Sequence, residues 1–144
     1  MNAKEYLNQI RLYKNRLEHD MARLDELRAL ATATGSKELK ADVVQSSIKN
    51  AGLEDTVGDL VDYERKIRAD IDQYLRMKEK IISQINNLSA GENTNKYIEL
   101  LLRRYNLGEF FEEIARAMKY TPSHVRHLHR EALEAFENQY LKGE

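Results

Sequence analysis

The stretch EFFEEIARAMKYTPSHVRHLHREALEAF, residues 109–136, indicates how the C-terminal part of the chain folds. Two runs with apolar residues at helical spacing flank a short polar turn, which predicts helices over 109–118 and 122–140. Thr121 is suited to cap the second helix and Pro122 to its first position, where no N–H is needed. The inner faces are predicted to be Phe110, Ile114, Ala115 and Met118, and then Val125, Leu128, Ala132 and Phe136.

A third helix is predicted just before this pair. Apolar residues at helical spacing run from Tyr97 to Tyr105, and Gly108 follows where a helix end often needs a left-handed residue. Two helices joined by a three- or four-residue turn form the helix-turn-helix arrangement, in which the second helix reads DNA. We therefore expect a three-helix, DNA-binding helix-turn-helix domain over residues 96–140.

Charge is sorted within this domain. No acidic residue occurs from Ile114 to Arg130, whereas Lys and Arg contribute +4 there, and three histidines (His124, His127 and His129) add donors that can become charged. In helical projection most of these side chains lie opposite the apolar face, where a recognition helix meets phosphates and base edges. The predicted DNA-binding residues are Arg116, Lys119, Thr121, Ser123, His124, Arg126, His127 and Arg130.

The stretch Phe111 to Leu133 also resembles region 4 of sigma-70-type factors. In that motif an EEIA-like first helix precedes a VRxI-like recognition helix and a final Ala-Leu pair, and here EEIA, VRHL and Ala132-Leu133 occupy those places. With its long N-terminal helices, the chain resembles short phage and prophage proteins of Gram-positive bacteria related to the ArpU-like transcriptional regulators. The resemblance implies sequence-specific DNA binding, action with RNA polymerase or another protein, and a place in the cytoplasm of a bacterial host.

Two features depart from the motif. Histidines stand where sigma factors carry Arg, Gln and Glu, and Lys119 stands where the turn commonly has glycine. Either this lysine adopts a strained backbone conformation, or the turn has a slightly different shape.

Towards the N-terminus, two longer helices are predicted. One stripe of apolar residues runs from Leu7 to Leu27 within residues 3–31, and a second runs from Val57 to Leu88 with Glu64 and Lys78 in it. Helices of that length with a single apolar stripe need a partner, and the simplest partner is each other. The predicted fold is therefore all-α, with a long antiparallel coiled-coil hairpin followed by the helix-turn-helix domain.

Two polar segments divide the chain. The connection from Thr32 to Asp55 is long for a loop without structure, so we expect a disordered loop or an arm that docks a partner. The segment from Ser89 to Asn95 has no apolar anchor and is predicted to be a linker. The predicted domains are thus 1–90 and 96–140.

Composition narrows the function classes. The chain has 144 residues, a formal net charge of −1 and no cysteine, which excludes disulfides and thiolate metal sites. No apolar run approaches the length of about 20 residues that crosses a bilayer. No paired carboxylates, nucleophile with base or phosphate-cradling glycine loop stands out, and no cysteine or nearby aspartate completes a metal site with His124 and His127. We expect no enzyme activity, no cofactor, no metal and no membrane partner.

The favoured function is that of a phage or prophage transcriptional regulator that binds double-stranded DNA as a homodimer. Two alternatives stay open. Small terminase subunits, which package phage DNA, also join a helix-turn-helix to an oligomerising coiled coil, and a pure coiled-coil adaptor needs no DNA at all. A ring-forming oligomer would favour packaging, whereas a monomer or dimer favours transcription.

Overall fold

The computed structural model describes residues 1–36 and 53–142. Within these ranges the chain forms five α-helices and no β-strand, which confirms the predicted all-α class. The helices are α1 (Ala3–Ser36), α2 (Leu53–Asn86), α3 (Thr94–Leu101), α4 (Phe111–Met118) and α5 (Pro122–Phe136). A 3₁₀ turn, Gly91–Asn93, precedes α3, and wider π-type turns extend α3 through Leu102–Asn106 and α5 through Glu137–Leu141.

The two long helices are longer than the sequence pattern predicts. The connection was expected to span Thr32 to Asp55, but α1 continues to Ser36 and α2 begins at Leu53. Because residues 32–36 contain no proline, the polar residues there simply continue the helix. The rest of the predicted connection, residues 37–52, lies outside the described residues, and so does the expectation of a loop or arm there.

The described residues pack as two compact units. One unit is Lys14–Gln73, and the other combines Met1–Tyr13 with Tyr74–Glu144. This division by packing differs from the boundary near residue 90 expected from the sequence. The physical reason is that the core of the second unit takes in the start of α1 and the end of α2 together with the three short helices.

The core of this second unit consists of aliphatic and aromatic side chains. Fully enclosed members come from α1 (Leu7), α2 (Ile81 and Ile85), α3 (Leu100 and Leu101), α4 (Ile114) and α5 (Val125 and Phe136). Gln84 links three helices at the edge of this core. The Gln84 side chain accepts a hydrogen bond from the Tyr6 hydroxyl at 2.6 Å, and the Gln84 backbone carbonyl accepts one from the Tyr140 hydroxyl at 2.8 Å.

The predicted linker from Ser89 to Asn95 belongs to this unit and is held by hydrogen bonds. The Ser89 N–H donates to the Gln139 side chain at 2.8 Å, and that side chain donates to the Asn87 carbonyl at 3.0 Å. The Ala90 N–H donates to the Thr94 hydroxyl at 2.8 Å. Polar side chains here therefore satisfy the backbone in place of an apolar anchor.

The other unit, Lys14–Gln73, contains parts of α1 and α2. Leu17, Leu24 and Ile67 are buried in it, in agreement with the predicted stripes, whereas Met21 and Val61 are exposed. Side chains also join the two helices. The Tyr63 hydroxyl donates to Asp20, and Arg28 pairs with Glu64 at 3.2 Å.

None of the described helices combines the length and apolar character needed to cross a membrane.

Candidate nucleic-acid interface

A tight turn joins α4 to α5. Lys119 adopts the left-handed conformation, with φ of 62° and ψ of 44°. The backbone N–H groups of Lys119 and Tyr120 both donate to the Ala115 carbonyl, which closes the end of α4. Of the two alternatives left open by the sequence, the structure has the strained lysine. Gly108 is also left-handed, with φ of 73°, as predicted.

The start of α5 follows the predicted pattern. Thr121 is extended, and its hydroxyl accepts a hydrogen bond from the His124 N–H at 3.1 Å. Pro122 occupies the first turn of the helix. Because both signals act between neighbouring residues, the sequence alone determines the residue at which α5 begins.

Replacing Lys119 with glycine is expected to raise the free energy of unfolding by about 0.5 to 1 kcal/mol. A residue with a Cβ pays about 1 to 2 kcal/mol in the left-handed region, and the greater freedom of glycine in the unfolded chain offsets part of that gain. Urea denaturation measures the change. Lys119→Ala is the control, since it removes the amine and keeps the Cβ, and equal stability of the two variants would contradict the strain.

The inner faces are as predicted except at Phe110. Val125, Leu128, Ala132 and Phe136 of α5 and Ile114 and Ala115 of α4 are buried. Phe110 is 68% exposed, so its predicted place on the inner face is wrong. It precedes α4 in an extended conformation, where its N–H donates to the Glu113 carboxylate at 3.0 Å. Phe111, the first residue of α4, packs against the core in its place.

Every predicted DNA-contacting residue is exposed. The residues on α5, after the turn, are Ser123, His124, Arg126, His127 and Arg130. Those on α4 and in the turn are Arg116, Lys119 and Thr121. The side chain of His124 also packs edge-on against the Tyr120 ring, at 4.7 Å between ring centroids.

Two acidic residues just outside the acid-free window reach back to this surface. Glu112 pairs with Arg126 at 3.3 Å, and Glu131 pairs with His127 at 2.8 Å. A hydrogen bond from the Tyr97 hydroxyl lowers the pKa of Glu131, which therefore stays negative. Among the described residues, no ion pair involves Arg116, Lys119 or Arg130.

His129 does not belong to this surface, although the sequence suggested that it could become charged. It is 7% exposed and shares a hydrogen bond of 2.7 Å with the Tyr105 hydroxyl. Burial lowers the pKa of His129 to about 4, with Arg104 and Lys4 adding to the effect, so the imidazole is neutral at pH 7. A signal was available in the sequence, because position 129 falls on the apolar stripe of Val125 and Ala132.

Arg104 is a further basic residue near this surface, and it was not among the predicted DNA-binding residues. Its guanidinium carbon lies 4.4 Å from the centre of the Phe111 ring, and that of Arg126 lies 5.8 Å from the same ring. Phe111 therefore brings an arginine that follows α3 next to one on α5, and both make cation–π contacts with it. No sequence pattern links these two positions.

In the part of the chain that the structure describes, no group of three or more His, Cys, Asp or Glu residues could hold a metal ion. Comparison of the chain with protein-family models, curated proteins and solved structures gave no match.

Proposed function

We propose that the chain is a DNA-binding transcriptional regulator in which α4, the turn and α5 act as a helix-turn-helix. In this proposal α5 is the recognition helix, and it enters the major groove of double-stranded DNA. The observation that supports this most is the two-sided character of α5. Its inner residues are buried, while the polar and basic residues predicted to touch DNA are all exposed.

The roles follow from position. Ser123 and His124 in the first turn of α5 enter the groove first, and Arg126 and Arg130, one turn apart, reach guanine edges or flanking phosphates. Arg116 and Lys119 precede α5, so they contact the backbone of the DNA and carry no sequence information. The Thr121 hydroxyl already accepts the His124 N–H and helps to fix this first turn.

The acidic partners on this surface do not oppose the proposal strongly. The Arg126 and Glu112 side chains are 54% and 57% exposed, and ion pairs of that kind contribute about 1 kcal/mol or less. A phosphate offers arginine a bidentate partner, so it can replace Glu112. No ion pair of the described residues includes Arg130, so a phosphate displaces no such partner there.

The wider setting is also a proposal. Following the resemblance to sigma region 4, we place the protein among phage and prophage regulators that act with host RNA polymerase in the bacterial cytoplasm. The long helices α1 and α2 would form the antiparallel coiled-coil hairpin, acting as a spacer or partner-binding arm. A homodimer would read two half-sites, as bacterial regulators commonly do.

Substitutions on α5 test the reading role. Arg126→Ala and Arg130→Ala should each weaken specific binding by about 1 to 3 kcal/mol and relax the sequence preference. Lys119→Ala should weaken binding to all sequences alike. It should also lower by about 1 the salt slope, which is the steepness with which the logarithm of the affinity falls with the logarithm of the salt concentration. Fluorescence anisotropy with labelled duplexes at two salt concentrations measures both effects.

Arg65→Ala is the matched control, because Arg65 is an exposed arginine on α2 outside this surface. It should leave affinity and salt slope as they are in the wild type. If Arg126→Ala and Arg130→Ala also leave the affinity unchanged, α5 is not the reader, and the adaptor alternative takes its place.

A further inference from the structure

A basic pocket opens beside α5 in the unit formed by Met1–Tyr13 and Tyr74–Glu144. It has a volume of about 340 Å³. Four cationic side chains line it: Lys4 of α1, Arg104 after α3, and Arg126 and Arg130 of α5. Asn8 adds an amide, and no carboxylate is among the described residues that line the pocket. Such a wall attracts an anion.

Three of these four cationic side chains have no carboxylate partner in the part of the chain that the structure describes. Among the described ion pairs, none includes Lys4, Arg104 or Arg130, and only Arg126 is paired, with Glu112. Arg104 is instead held in place by neutral groups. It donates to the Glu109 carbonyl at 3.0 Å and stacks on the Phe111 ring. The charge of Arg104 is thus positioned but not neutralised.

The positive charge around the pocket also affects the pKa values of two residues that line it, His129 and Tyr105. His129 lines the pocket, and Arg104 and Lys4 both act to lower its pKa, after the larger effect of burial. Tyr105 also lines the pocket. Burial raises the pKa of its hydroxyl, whereas the positive charges of Arg104 and Arg11 act to lower it. Because His129 is neutral at pH 7, it contributes no charge of its own to the pocket.

We propose that this pocket binds a phosphate group through Lys4 and Arg104. Arginine matches phosphate oxygens with its planar fork of donors, and lysine adds a flexible point charge. Arg126 and Arg130 also lie on the surface assigned to DNA. In the complex, a backbone phosphate next to the bases read by α5 therefore fills the pocket, and this second part rests on the proposed function. The start of α1 then belongs to the DNA interface.

Lys4→Gln tests the site with little risk to folding, since the Lys4 side chain is exposed. The matched control is Lys14→Gln, which removes the same charge from an exposed position on the same helix outside the pocket. The first arm titrates the full chain with inorganic phosphate at constant ionic strength and follows backbone amide shifts by NMR. We expect saturable shifts around the pocket, with affinity about two- to fivefold weaker in Lys4→Gln than in Lys14→Gln.

The second arm titrates the same proteins with duplex DNA. Lys4→Gln should weaken binding about two- to fivefold and lower the salt slope by about 1, whereas Lys14→Gln should change neither. Saturating inorganic phosphate at constant ionic strength should also weaken DNA binding by the wild type. Both results identify the phosphate in the pocket as one from the DNA backbone.

The outcomes separate the two proposals. If the wild type shows no saturable phosphate shifts at the pocket, the pocket is not a phosphate site. If DNA binds with equal affinity and slope to Lys4→Gln and Lys14→Gln, the backbone-phosphate part is overturned, while Arg130→Ala still decides the proposed function. If the wild type binds no DNA, the proposed function fails. Phosphate shifts that Lys4→Gln weakens would then support a site for a free phosphate compound.

Discussion

Replacing Phe136 with alanine is expected to lower the free energy of unfolding by about 3 to 5 kcal/mol. The Phe136 side chain is fully buried. Its ring lies 5.8 Å from the Tyr6 ring and 4.9 Å from the Tyr140 ring. The substitution removes contacts to the start of α1 and to the turn after α5 at once, and it leaves a cavity between them. Urea denaturation followed by circular dichroism measures the loss.

Phe110→Ala is the control for this prediction, because it makes the same substitution at a ring that is 68% exposed. It should change the stability by no more than about 0.5 kcal/mol. If both variants lose the same stability, or if Phe136→Ala costs less than the control, the core does not extend across α1 and α5 as described.

Acidification is expected to destabilise the protein through His129. The pKa of this buried imidazole falls from its usual 6.5 to about 4 in the folded state, chiefly because burial disfavours its charged form. Between those values the unfolded chain binds a proton that the folded chain does not, so stability decreases as pH falls. The contribution is fully present above pH 6.5, and its loss reaches about 2 kcal/mol at pH 5 and about 3 kcal/mol at pH 4.

A variant without the polar pair isolates this effect. In His129→Phe combined with Tyr105→Phe, the hydrogen bond of 2.7 Å is removed together with both of its partners, so no buried polar atom is left unpaired. Urea midpoints between pH 7.5 and pH 5 should fall less steeply in this double variant than in the wild type. His124→Gln, a substitution at an exposed histidine, should keep the wild-type slope. Equal slopes in all three proteins would contradict a buried, neutral His129.

Local sequence signals predicted the turn before α5 well. The roles of Thr121 and Pro122 depend on groups within three or four residues of each other, and these were correct. Phe110 was misplaced because a periodic pattern does not show the residue at which a helix begins. Phe110 is extended and lies just before α4, so its side chain does not follow the inner face of that helix. Helix boundaries, and the residues at them, are where such patterns are least informative.

Long-range packing could not be predicted. The core joins the start of α1 to α5 through Leu7 and Phe136, and the pocket joins Lys4 to Arg104 and Arg130. Each of these positions has an ordinary local sequence, and only the arrangement of the helices brings them together. The hydrogen bond from the Ser89 N–H to the Gln139 side chain could not be predicted for the same reason, since the two residues lie far apart along the chain.

The candidate site falls between these two cases. Its exposed members, such as Arg126 and Arg130, could be predicted because their neighbours Val125 and Leu128 fix the buried face of α5. The ion pair of Arg126 with Glu112 depends on how α4 packs on α5, and no spacing rule predicts it. The charge of the surface is therefore less uniform than the acid-free window of the sequence suggests.

Whether α5 reads DNA can be decided by selection of bound fragments from random double-stranded DNA, performed in parallel with the wild type, Arg130→Ala and Arg65→Ala. We expect the wild type and Arg65→Ala to enrich one common sequence, and Arg130→Ala to enrich a sequence relaxed at a single position. Failure of the wild type to enrich any sequence, or enrichment of the same unrelaxed sequence by all three proteins, would contradict the assignment of α5 as the DNA-reading helix.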